Sequence, residues 1–140
     1  MLENLKELVA INSFENNNDI VEYLQKKFSP FSKEIKIVKN IENDNKSILI
    51  GLNTKLTDVE PIILSGHIDT VAPDMDKYKT NPLELTVIGD KVYGLGSIDM
   101  KSFVATILDN INELKSISCP HSCCFNYRWR NRFNMCRKYY

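Results

Sequence analysis

The chain has 140 residues, 43% apolar and 26% charged, the composition of one globular domain rather than of a disordered segment. Its net charge of zero joins two unlike parts: before residue 117, 13 lysines face all 18 acidic residues (net −5), whereas 117–140 hold four arginines, one lysine and no acid (net +5). No apolar run approaches the ~18–20 residues of a membrane span, and acids inside the first apolar pattern argue against a secretory leader, so the cytoplasm is the expected compartment.

Leu2, Leu5, Leu8 and Val9 recur at helical spacing, and a polar loop follows over residues 12–18. Asn18 or Asp19 is placed to cap a second helix with the stripe Ile20, Val21, Leu24 and Phe28, which Pro30 should end. Ile35–Val38 alternates as a half-buried strand does, and Ser47–Leu52 is a second strand candidate. The apolar run Pro61–Ser65 reads as a central strand covered on both faces. Leu83–Val87 and Lys91–Tyr93 flank Gly89-Asp90 and suggest a hairpin. From Asp99 to Leu114 one helical pattern returns, with Phe103, Val104, Ile107, Leu108 and Ile111 on one face. Helices, strands and a strand-to-helix crossover make the fold class α/β, a mixed sheet flanked by helices.

Two stretches carry chemistry. In Ser65-Gly66-His67-Ile68-Asp69-Thr70-Val71, residues two apart on a strand point the same way, so His67 and Asp69 would share one side of a strand's C-terminal end. Ligand sites of open α/β sheets gather there. A carboxylate beside an imidazole can take one ring proton and leave the other nitrogen to a metal. Gly66 suits close packing of the strand end. In Tyr93-Gly94-Leu95-Gly96-Ser97-Ile98-Asp99-Met100-Lys101, two glycines make a turn and Asp99 would open a helix, where the dipole favours an acid. A carboxylate has two oxygens and can join two cations about 3.5–4 Å apart. Each stretch alone has a plainer reading: His-x-Asp recurs by chance, and an aspartate opening a helix is commonly an N-cap. A nucleotide loop at Gly94-x-Gly96 lacks its third glycine.

In order, the two stretches with Asn81-Pro82 between them resemble the zinc metallopeptidase family of acetylornithine deacetylase, succinyl-diaminopimelate desuccinylase and aminoacylase. Leu8-Val9-Ala10-Ile11-Asn12-Ser13 is similar to that family's first helix and specificity loop, and the resemblance runs over residues 2–116. It implies the N-terminal part of a two-metal aminopeptidase-like catalytic domain. By the same resemblance His67 is a metal ligand, Asp99 bridges two ions (zinc or cobalt), and Asp69 is the catalytic-site acid that orients His67. Lys101 stands where the family also has lysine, and Ser102 replaces a common glycine. The implied reaction is amide hydrolysis of a small N-acyl amino acid, with homodimers among intact relatives.

The resemblance also implies an Asp-Glu-Glu motif on the next strand, supplying the general base and a ligand, and later a further acid and a histidine. This chain has no acid after Glu113, and His121 matches nothing in that pattern. The expected organisation is therefore a partial catalytic domain over 1–116 and an atypical, poorly ordered Cys/Arg-rich tail over 117–140. Written in A/T-rich codons and read one base later, His121 onward gives Ile-Val-Val-Ala-Leu-Thr-Thr-Asp-Gly-Glu-Thr-Gly, very like the missing strand and motif. Loss of that strand would leave a sheet edge open, with low solubility. Other readings of the tail are a zinc site from Cys119, Cys123, Cys124, Cys136 and His121, and a nucleic-acid surface from Arg128, Arg130, Arg132 and Arg137 among Tyr127, Trp129 and Phe133. A non-catalytic fragment that binds metal or a partner is the remaining alternative.

Overall fold

The computed structural model describes residues 2–40, 44–53 and 62–126. Helices α1 (Leu2–Ala10) and α2 (Asn18–Phe28) precede strands β1 (Glu34–Lys39), β2 (Lys46–Leu52) and β3 (Ile62–His67). The short hairpin β4 (Thr86–Ile88) and β5 (Lys91–Tyr93) follows, then α3 (Lys101–Asp109), α4 (Ile111–Ser116) and β6 (His121–Asn126). The main sheet has the order β1-β2-β6-β3. Its β1/β2 and β2/β6 pairs are antiparallel and its β6/β3 pair is parallel, so the sheet is mixed. A parallel pair needs a long crossover, and α3 and α4 lie within it.

The apolar stripes read from the sequence form the core. Leu5, Leu8 and Val9 of α1 and Ile20, Val21, Leu24 and Phe28 of α2 meet Ile48, Ile50 and Leu52 of β2 and Val104, Ile107 and Leu108 of α3. The Phe28 and Phe125 rings lie 6.0 Å apart in this cluster. No helix among the described residues is long and apolar enough to cross a membrane.

Several local expectations change. The N-cap of α2 is Asn17, not Asn18 or Asp19. Its side chain makes no capping bond, because its amide donates to the Lys46 carbonyl and its oxygen accepts from Lys46 N–H at 2.8 Å, tying the helix start to β2. The expected single helix over 99–114 begins at Lys101 and breaks at Asn110, whose side-chain amide donates to the Thr106 carbonyl at 2.8 Å. Asparagine competes in this way with the helical ladder. The hairpin forms, but its first strand starts at Thr86 rather than Leu83.

The largest change concerns β6. The tail expected to be poorly ordered from residue 117 instead supplies residues 121–126 as a strand between β2 and β3, all six buried. The predicted open edge is therefore closed, because backbone pairing asks little of side-chain identity, and Cys123 and Phe125 still join the apolar cluster. In turn β3, read as a central strand covered on both faces, pairs on one side only among the described residues, and Ile62 is 56% exposed. Arg128, Trp129, Arg130, Arg132, Cys136 and Arg137 lie outside the described residues.

Candidate metal half-site

His67 is the last residue of β3, and Asp69 follows in the loop that leaves it. Asp99 approaches from the turn before α3. That turn is set by Gly96, whose φ of +77° suits glycine and whose carbonyl accepts from Lys101 N–H at 2.8 Å. The Asp99–Met100 peptide bond is cis. Gly66 lets α3 come close to β3: a Cβ there would lie 2.9 Å from both Met100 Cε and Phe103 Cδ1. His67 N–H donates to Met100 Sδ at 3.4 Å across the same junction.

These elements bring His67, Asp69 and Asp99 together on the wall of one open cavity of about 560 Å³. His67 Nε2 lies 2.9 Å from Asp99 Oδ1. His67 Nδ1 lies 3.0 Å from the backbone carbonyl of Asp69 and 3.7 Å from its carboxylate. A carbonyl only accepts, so it fixes the proton on Nδ1 and leaves the Nε2 lone pair aimed at a carboxylate oxygen. Two such acceptors face each other comfortably only with a positive charge on or between them, a second ring proton or a bound cation.

The second possibility fits the donor chemistry. Two ligands of a tetrahedral zinc ion at ~2.0–2.2 Å stand about 3.3–3.6 Å apart, so the 2.9 Å pair would open by about half an ångström to admit one. The set is nonetheless only half of a site. Among the described residues no group of three or more His, Cys, Asp or Glu is placed to hold a metal ion. Cys123 and Cys124 project to opposite sides of β6, and burial pushes the Cys123 thiol up to about 12, away from the thiolate a metal requires.

Two expectations about the trio are corrected. The nearest oxygen to Nδ1 is the Asp69 carbonyl rather than its carboxylate, because the chain turns as it leaves β3. Asp99 does not open a helix: α3 starts at Lys101, and the Asp99 side chain, 80% exposed, reaches back to His67 instead of capping.

Phe14 and Tyr78, which the motifs did not single out, also line the cavity. Lys101 is fully buried, its Nζ donates to the Ile11 carbonyl at 2.7 Å, and loss of water pulls its pKa down to about 8. It fastens the loop after α1 to the turn before α3. The signal for it was a lysine at the start of an otherwise apolar helical stripe.

The geometry has relatives. Residues 63–123 match the peptidase family M20/M25/M40. The chain is 38% identical over 126 residues to an acetylornithine deacetylase of Buchnera aphidicola subsp. Schizaphis graminum, covering 84% of this chain and 32% of that protein. A second acetylornithine deacetylase, from Buchnera aphidicola subsp. Acyrthosiphon pisum, is 32% identical, with 85% and 33% covered. The chain thus spans about a third of the length of the curated relatives it matches. The fold is similar to that of human carnosine dipeptidase 1, with TM-score 0.76 at 19% identity over 89% of this chain and 31% of that one. It is also similar to the M20 family metallo-carboxypeptidase Sso-CP2 of Sulfolobus solfataricus, with TM-score 0.74 at 18% identity over 89% and 30%. Over residues 63–123 this chain is similar to peptidase family M20/M25/M40, and its mixed sheet has the fold of solved members of that family.

Proposed function

We propose that the chain is the N-terminal part of an acetylornithine deacetylase-like metal-dependent hydrolase of N-acyl amino acids, with His67 and Asp99 as metal ligands and Asp69 as the residue that orients His67. The observation that carries this is the 2.9 Å approach of His67 Nε2 to Asp99 Oδ1 while Nδ1 is held by the Asp69 carbonyl. Bound zinc or cobalt would polarise an amide carbonyl and lower the pKa of a bound water. The protein's share is to fix the imidazole tautomer, present two donors on one cavity wall and, through Lys101, hold the loop that carries Phe14 beside them.

The chain alone is inactive on this reading. A general base and further ligands are needed, and no acid follows Glu113. On the same proposal residues 117–140 are encoded one base out of frame. The burial of β6 supports this: His121 Nε2, Ser122 Oγ and Asn126 Nδ2 are all buried without a hydrogen-bond partner among the described residues. The shifted reading would place Ile-Val-Val-Ala-Leu-Thr on the same six positions and an acidic motif just after them. Cobalt titration followed by visible absorption tests the half-site: saturable binding lost in His67→Ala and Asp99→Ala is expected, and equal binding by all three proteins overturns it. No release of acetate from N-acetyl-L-ornithine is expected from this chain with metal added, and turnover would refute the inactivity. The shifted frame of the gene is expected to continue the family pattern downstream, with glycine forced by Trp129 where the family has its base, and unrelated sequence there would refute the frame reading.

A further inference from the structure

A second cavity of about 430 Å³ shares a wall with the half-site cavity: Tyr78, Gly94, Ser97 and Ile98 line both. Its remaining described lining is Lys79, Thr80, Lys91, Val92 and Tyr93, so two lysines and, among the described residues, no carboxylate face it. The neighbouring Lys77 is neutralised by Asp74 at 2.7 Å, whereas Lys79 and Lys91 have no ion-pair partner among the described residues. The Thr80 hydroxyl is buried there with no hydrogen-bond partner among the described residues. Uncompensated cations beside an unused hydroxyl and two phenol rings form a place for an anion attached to an apolar body. The volume is that of a small-ligand subsite.

We propose that this cavity is a second subsite for the carboxylate-bearing end of an N-acyl amino acid, with Lys79 and Lys91 pairing to the carboxylate and Tyr78 and Tyr93 flanking the side chain. It rests on the hydrolase reading, since four residues line both this cavity and the one that holds His67 and Asp99. The two cavities divide the work: one receives the amide, and the other reads the charge that an N-acyl amino acid carries at neutral pH. The preference follows from Coulomb attraction at a partly shielded surface and should weaken with salt.

The test is an NMR titration of the ¹⁵N-labelled full chain with N-acetyl-L-phenylalanine and with its uncharged amide, at low salt. The acid is expected to shift Lys79, Lys91 and Tyr93 saturably and to bind at least tenfold more tightly than the amide. The double variant Lys79→Ala/Lys91→Ala, both exposed positions, should keep the wild-type spectrum elsewhere and lose that preference. Equal binding of acid and amide, an unchanged preference in the double variant, or shifts confined to another surface would each overturn the subsite. Cobalt titration of the same sample separates the two readings. Cobalt binding without acid preference refutes the subsite alone, and acid preference without cobalt binding refutes the half-site alone.

Discussion

Replacement of Gly66 by alanine tests the junction that creates the half-site. The new Cβ would stand 2.9 Å from Met100 Cε and 2.9 and 3.1 Å from two atoms of the Phe103 ring. The methionine tip can swing away. The ring packs against the core, so relief there requires α3 to move from β3. Overpacking of this kind costs ~1–3 kcal/mol. Alanine in a strand regains ~0.5–1 kcal/mol over glycine. The net expectation is a loss of up to about 2.5 kcal/mol, centred near ~1 kcal/mol, read as a lowered midpoint in urea denaturation followed by circular dichroism. Met100 adjoins Asp99 and accepts the His67 N–H bond, so the same displacement should pull Asp99 from His67 and weaken cobalt binding at least tenfold. An unchanged midpoint together with unchanged cobalt affinity would refute the close approach of α3 to β3.

Lys101→Met should alter the pH dependence of stability. The buried ammonium gives up its proton near 8 in the folded chain but near 10.5 when unfolded. Between these values the unfolded chain binds more protons, so folded stability rises with pH, by roughly 3 kcal/mol in total relative to the methionine variant. Cys123 and Tyr23, both raised by burial, lose stability at alkaline pH in both proteins and cancel in the difference. Denaturation curves that stay parallel from pH 7.5 to 10 would place the Lys101 ammonium in water. Ser122→Ala removes a buried hydroxyl with no partner among the described residues and should stabilise the chain by ~1–3 kcal/mol, seen as a higher melting temperature; destabilisation would show that the hydroxyl is bonded. Asp69→Asn should weaken cobalt binding less than the ~10–100-fold usual for outer ligands, because the backbone carbonyl is the closer acceptor, and a larger loss would restore the carboxylate to that role.

Much of this was legible before the structure. Period and apolar spacing placed α1, α2, β1, β2 and the hairpin, because each buries one continuous stripe or face. Gly66 was read correctly as a point of close packing, since a glycine ahead of a functional residue has few other uses. The meeting of His67 with Asp99 came through family resemblance: they are 32 residues apart, and no local pattern encodes the turn that joins them. β6 was missed because His-Ser-Cys-Cys-Phe-Asn has neither strand alternation nor an apolar run, while its place is set by partners far along the chain. Lys101 was noted only as a matching lysine. Its burial depends on the Ile11 carbonyl, 90 residues away.

The register of β6 on β3 runs from Ile62 opposite His121 to His67 opposite Asn126. Two parallel strands that finish level act as a loading dock: Asn126 ends β6 directly beside the residue that carries the imidazole. The hydrogen-bond ladder reads spacing and is indifferent to side chains, so the sheet closes around His-Ser-Cys-Cys-Phe-Asn although that segment has no strand alternation.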